Sequence, residues 1–255
     1  MTEHAALLLI SFIANTMSAF AGGGSGLVQF PALLFLGLPF ATALATHKIA
    51  TVALGLGSTY RHVKHKAPID WHFALIVMLC GVLGTIVGAG IIVNIPDRIA
   101  GLSLGLLTIA LGVYSIFKKS LGQASAPKNR DLKGFVLGGF VLFLIGVFNG
   151  SLSSGSGLFV TVWLILWFGV DYKSAVMYTM TLVGIFWNLT GAMAVSLLGH
   201  PVYWAWVPTL LLGSFAGGYA GAHMGALKGN LWIKRGFEAV TILSGAYLLY
   251  KSIIP

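Results

Sequence analysis

Gly22-Gly23-Gly24-Ser25-Gly26-Leu27 and Ser153-Ser154-Gly155-Ser156-Gly157-Leu158 decide how this chain folds. Each cuts an apolar stretch that would otherwise cross a bilayer. A break of this kind frees backbone N–H and C=O groups that hydrocarbon cannot satisfy. It is tolerated only where it is buried in protein or lines a cavity. Glycine-interrupted apolar segments at corresponding positions of two halves are the sequence mark of a substrate site within a membrane.

Composition agrees. Of 255 residues, 57% are hydrophobic and 8% charged, and the mean hydropathy is +0.92. A soluble domain carries about 25% charged residues, so the chain is an integral membrane protein. The single Cys80 excludes a disulfide framework and a cysteine metal site within one chain. Met1-Thr2-Glu3-His4 lacks the basic start of a signal peptide, so the first span is expected to be retained. The excess of basic residues falls in loops between spans, which speaks for topology rather than nucleic acid.

The apolar segments read as 5–21 and 26–38 around the first break, then 41–60, 71–93 and 98–117. The second half gives 135–150 and 157–169 around the second break, then 173–197, 203–225 and 231–253. A full span needs about 20 apolar residues, so 26–38 and 157–169 are half-helices. The halves align. Gly24-Ser25-Gly26-Leu27 matches Gly155-Ser156-Gly157-Leu158, Gly84 and Gly88 match Gly217 and Gly221, and Tyr114 and Lys118 match Tyr247 and Lys251.

Charge sets the orientation. If each broken segment is a hairpin entering and leaving on one side, twelve cations share a side. They are Arg61, Lys64, Lys66, Lys118, Lys119, Lys128, Arg130, Lys133, Lys173, Lys228, Lys234 and Arg235, with Arg98 and Lys251 opposite. If each crosses once, the split is nine against five. The positive-inside bias favours hairpins. The expected fold is therefore an all-α polytopic membrane protein of two inverted repeats, each a broken hairpin plus three transmembrane helices. The repeats are 1–119 and 134–255, joined by a linker at 120–133. The stretch 118–134 is cytoplasmic and both termini lie outside.

A helix N-terminus carries roughly half a positive charge and unpaired N–H donors. Two inverted half-helices would bring such ends together near the midplane as a site for a small anion. Gly24, Gly26, Gly155 and Gly157 allow close approach there, and Ser25, Ser154 and Ser156 add hydroxyls. The alternative is that these runs only let helices pack closely. That alternative also covers Gly84/Gly88 and Gly217/Gly221.

Thr46-His47-Lys48 adds a second clue. A lysine inside a span usually marks function. Lys48, Thr51 and Gly55 share one helix face, and Thr181, Gly184 and Asn188 share the matching one. These faces are expected to line opposite walls of one cavity, with Thr179 beside them. Snorkelling to headgroups is the alternative for Lys48. His47 is either a histidine bonded to a carbonyl or a proton or substrate group. Asn149, just before the second break, serves freed backbone groups or a ligand. Glu238 is expected to pair with Lys234 or Arg235. Asp70, Asp97 and Asp171 are expected to cap helices, and His62 to sit in a basic loop.

The chain resembles the TauE/SafE sulfite exporter family over nearly its whole length. The resemblance rests on the glycine-rich break followed by Pro31 and Gly37-Leu38-Pro39, and on Ala45-Thr46. The second half adds Lys173-Ser174-Ala175 and Thr179. It implies secondary transport of small sulfur-containing or organic anions such as sulfite, sulfoacetate or other sulfonates, often outward, across the cell inner membrane. The expected partners are that small anion and the lipid bilayer, with no nucleic acid. A homodimer stays open. No cofactor is expected, and H+ or Na+ is the candidate coupling ion.

Two rivals remain at this level. A passive anion channel would use the same half-helices without a coupling ion. Gly23-Gly24-Ser25-Gly26 with Ala222-His223-Met224-Gly225 also resembles the serine and histidine elements of rhomboid proteases. The duplication of the serine element argues against that enzyme, because a protease needs one nucleophile.

Overall fold

A computed structural model describes residues 2–64, 69–91, 97–152 and 155–253. Among them every regular element is helical. The first half contains α1 (Thr2–Ala21), α2 (Ser25–Phe35), α3 (Phe40–Lys64), α4 (Trp71–Ile91) and α5 (Asp97–Phe117). The second contains α6 (Leu132–Leu152), α7 (Ser156–Phe168), α8 (Tyr172–Tyr178), a π-helical stretch (Thr179–Trp187) and α9 (Asn188–Leu197). It ends with α10 (Val207–Lys228) and α11 (Asn230–Ile253). The run Tyr172–Leu197 is one helix of 26 residues with the π-helical turn set inside it. It is one of five helices among the described residues long and apolar enough to cross a membrane. The others are α1, α3, α4 and α6, whereas α2 and α7 are short apolar helices. The chain is an all-α polytopic membrane protein.

Both broken segments fold back as hairpins. Gln29 on α2 donates from Nε2 to Ser11 Oγ on α1 at 3.0 Å. In an unbroken helix those residues, 18 apart, would stand about 27 Å from each other. In the second hairpin the Trp163 and Trp167 indoles donate to the carbonyls of Gly138 and Gly134, at 3.1 and 3.0 Å. The ends have local causes. Asp171 caps α8 by accepting from Ser174 N at 2.9 Å, and Asp70 caps α4 by accepting from Phe73 N at 3.1 Å. The side chain of Asp97 lies outside the described residues. The tenth helix begins at Val207 rather than 203, because Pro208 suits a first turn.

Each hairpin packs on a helix of the other half. The first runs beside α10: His4 meets Thr209 and Ser11 meets Ser214. Gly217 and Gly221 press there on the backbone of Phe12 and Thr16. Likewise α6 runs beside α4, where Gly84 and Gly88 press on Phe143 and Val147. Those four glycines are close-packing surfaces. Helix α3 runs parallel to α10, from the Thr46–Tyr203 bond to the Arg61–His223 bond. It runs antiparallel to Tyr172–Leu197, from Thr59–Thr181 to Lys48 against Gly191. The α5–α11 pair is antiparallel, with Ser115 at Glu238 and Gly105 at Gly245.

The basic ends of the helices gather on one face. Arg61 bonds His223, Lys173 N bonds Asn230 Oδ1, and Asn230 Nδ2 reaches the Gln123 carbonyl. The linker docks there. Tyr172 N donates to Gly122 O at 2.9 Å and Ala126 N to Gly169 O at 2.8 Å. The Arg130 guanidinium lies 3.6 Å from the Phe73 ring centre. The expected Glu238 ion pair forms with Lys234. His62 is not in a loop: it lies in the last turns of α3 and is buried, because that helix runs on to Lys64.

Candidate functional site

The two hairpin tips touch. Gly22 N and Gly23 N both donate to Ser18 O at 2.9 Å, which turns the chain sharply after α1. Gly24 and Gly155 precede α2 and α7 in left-handed backbone, at φ 101° and 81°. L-residues with a side chain pay strain there, and glycine does not. Thr161 on α7 reaches across, donating to Gly22 O at 2.7 Å. Its oxygen also lies 2.9 Å from Thr179 Oγ1. The N-termini of α2 and α7 therefore converge on one place.

A cavity of about 350 Å³ of empty space, counting its mouth, lies at that convergence. The first hairpin contributes Ser18, Gly23, Gly24, Ser25 and Gly26, and the second Asn149, Gly155, Ser156 and Gly157. Helix α3 adds His47, Thr51 and Leu54. The opposite wall is the π-helical stretch with Thr179, Met180, Val183 and Gly184, followed by Asn188. None of these lining residues is acidic. Ser18 and Asn149 each precede the serine of their break, Ser25 and Ser156, by the same seven residues.

Hydrogen bonds fix the walls. Asn149 Nδ2 donates to Ser156 Oγ at 2.8 Å. The Lys48 ammonium donates to Asn149 O at 2.8 Å and to Asn149 Oδ1 at 3.0 Å. His47 Nδ1 lies 3.0 Å from Gln29 Oε1. Gln29 in turn donates to Ser11 Oγ, and Ser11 lies 2.9 Å from Ser214 Oγ. Asn188 Nδ2 donates to Val183 O at 2.8 Å. That bond fixes the amide's orientation, since a flip would set two acceptors against each other. Asn188 Oδ1 is left buried with no donor.

Three expected site residues stand elsewhere. Lys48 does not line the cavity, and it does not snorkel: it is fully buried. Its four-carbon stem carries the ammonium past the wall to Asn149. Thr46 donates to Thr42 O at 2.7 Å and accepts from Tyr203 N at 2.9 Å, which anchors the approach to α10. Thr181 lies 2.9 Å from Thr59, because π-helical winding turns it off the face shared by Gly184 and Asn188. Ser154 lies outside the described residues. The breaks and the Lys48 face do not point to Ser18, Leu54, Met180, Val183 or the supporting Gln29. A signal existed in Ser11, Asn15 and Ser18, spaced i, i+4, i+7 on one face of an apolar helix. The protease pairing has no geometry here. His223 is exposed on α10 and holds Arg61, while Ser25 lies buried at the cavity.

Helices of membrane-spanning length around two embedded hairpin tips, with a polar cavity between them, define a multi-pass membrane transporter. The chain belongs to the sulfite exporter TauE/SafE family, which it matches over residues 7–248. A probable membrane transporter protein of Haemophilus influenzae is 26% identical, covering 96% of this chain and 94% of its own length. The probable membrane transporter protein YfcA of Escherichia coli K12 is 24% identical over 96% of this chain and 89% of its own. YdhB of Bacillus subtilis, named likewise, is 25% identical over 96% and 99%. No solved structure matches.

Proposed function

We propose that this protein carries a small sulfur-containing or organic oxyanion, of the sulfite, sulfoacetate or sulfonate class, across the inner membrane by alternating access around this cavity. The observation that carries the reading is the meeting of two half-helix N-termini at a polar cavity with no acidic lining residue. Positive helix ends facing each other in a low-dielectric site repel unless an anion lies between them. The asparagine and histidine around them are positioned by second contacts rather than left to reorient.

The halves, 1–119 and 134–255, act in this proposal as inverted repeats. The hairpin of each half packs on a helix of the other, and the helices that match in sequence run in opposite directions. Rocking of one unit against the other around a fixed site is how such pairs exchange access. The gathered basic ends and the docked linker are the cytoplasmic face in this reading, with both termini outside.

Flux in proteoliposomes tests it. Sulfite should move against its own gradient when a pH or Na+ gradient is imposed, with H+ or Na+ as the coupling ion. Flux that only dissipates the sulfite gradient under every condition would make the protein a channel. A thermal-shift screen of small anions on purified protein reports binding independently, since a ligand of the folded state stabilises it.

Asn188→Asp should weaken anion binding about tenfold or more. It turns a neutral amide on the cavity wall into a carboxylate of the substrate's own sign, worth several kcal/mol at about 4 Å in a partly screened site. Titration of sulfite into the purified variant measures this. Unchanged affinity would put the anion away from the π-helical wall.

A further inference from the structure

Towards the basic face two helices of the cavity wall meet in a seam. Helix α3 crosses the Tyr172–Leu197 helix at Gly55 and Gly184, so close that a methyl on Gly184 would stand 2.9 Å from Gly55 Cα. One turn further on, Thr59 and Thr181 share a hydrogen bond of 2.9 Å. Past that seam lie Arg61 and His62, only 5% and 6% exposed. Arg61 donates from Nε to His223 Nδ1 at 2.9 Å. His62 lies within electrostatic reach of both Arg61 and Lys173. Its Nε2 is buried without a hydrogen-bond partner.

This cluster has no counter-charge. The two ion pairs among the described residues are Arg130–Asp70 and Lys234–Glu238. Asp171, the acid nearest in sequence to Lys173, gives its two oxygens to Ser174. Asp131 caps α6 at Gly134 N. Glu3 and Asp97 sit in the first turns of α1 and α5, at the other face. Cations that only set topology can stay exposed at the headgroups. Arg61 is instead packed among helices, where an unpaired guanidinium is costly. Its planar donor fork fits an oxyanion.

We infer that Arg61, His62, Lys173 and His223 form a second oxyanion site at the cytoplasmic mouth, where substrate is loaded before the Gly55–Gly184 seam opens. The inference rests on the transport reading above. Arg61 lies seven residues beyond the lining residue Leu54, about 10 Å along the helix axis. An anion held there is one short step from the cavity. The Thr59–Thr181 bond is the inner gate it must pass.

Side-resolved kinetics test this in phosphatidylcholine vesicles with the protein inserted in one orientation. Arg61→Gln should raise the KM for sulfite presented at the Arg61 face at least fivefold. The KM from the opposite face should change less than twofold. Chloride should raise the wild-type KM at the Arg61 face and affect the variant much less. Equal KM changes at both faces, or none, would overturn the inference. A phospholipid headgroup offers the same phosphate-like chemistry. If the Arg61→Gln effect appears only in vesicles containing phosphatidylglycerol, the occupant is lipid and the loading role falls. His62→Gln, which keeps the guanidinium, guards against misfolding of Arg61→Gln and should show the same one-sided rise. A thermal shift with inorganic phosphate reads the site without transport. It should be present in wild type and lost in both variants, and an equal shift in all three would overturn the site. If wild type carries no sulfite in either direction yet shows the phosphate shift that Arg61→Gln removes, the transport reading fails and the site stands as an anion site alone.

Discussion

Gly23→Ala should abolish transport and destabilise the protein by about 3 kcal/mol or more. Gly23 has φ 147°, a backbone conformation that favours glycine. A methyl group there would stand 2.5 Å from Leu158 N and 2.7 Å from Gly157 C. Both are backbone atoms of the opposing tip, so no side chain can swing aside. The tips must separate, and the Thr161–Gly22 clasp is lost with them. Gly157→Ala is the matched control. Its methyl would meet Gly23 Cα at 3.2 Å, from a helical backbone that alanine accepts. It needs a shift of a few tenths of an ångström and should slow transport without abolishing it. Flux in vesicles and chemical unfolding measure the two effects. Wild-type flux in Gly23→Ala would show that the tips are packing features and that the anion binds elsewhere.

Lys48→Met should weaken sulfite binding more than tenfold and lower stability by about 2–4 kcal/mol. The ammonium serves both the main-chain and side-chain oxygens of Asn149. Methionine keeps the length of the stem but leaves those buried acceptors underserved, at about 1–3 kcal/mol each. Asn149 then no longer presents its amide firmly to Ser156. On this account Lys48 acts through Asn149. Asn149→Ala should therefore cost a similar loss of binding, and the double variant little more than either single one. A double-mutant cycle separates the cases. Additive losses would mean that the lysine acts on the anion directly.

The breaks, the half-helices and the hairpin form were legible because they depend on rules with few exceptions. Backbone polarity is costly in lipid, and positive charge stays on one side. The pattern Gly22–Gly26 against Ser153–Gly157 was enough to place the two tips. The aim of individual side chains was less legible. Lys48 and Thr51 do share a helical face, yet a flexible four-carbon stem carries one of them behind the wall. Thr181 stands off the expected face because nothing in Thr179–Trp187 announces π-helical winding, whose i to i+5 bonds rotate each later residue away from its α-helical position. The role of Gln29 is not legible locally because it depends on a partner, His47, that lies 18 residues away.

The pairing of α1 with α10 has a consequence for biosynthesis. Helix α1 is made long before its partner, which lies far along the chain: Ser11 waits for Ser214, 203 residues later. At roughly 5–20 residues per second, that delay is about 10–40 s. During it the Ser11, Asn15 and Ser18 face has no protein surface to meet, unlike α6, whose partner α4 is already in place when it emerges. An insertion factor that shelters a polar helix face should matter most for the first hairpin. Truncations ending before residue 207 should leave α1 poorly held in the bilayer, and a crosslink between positions 12 and 217 should form only once α10 has been made.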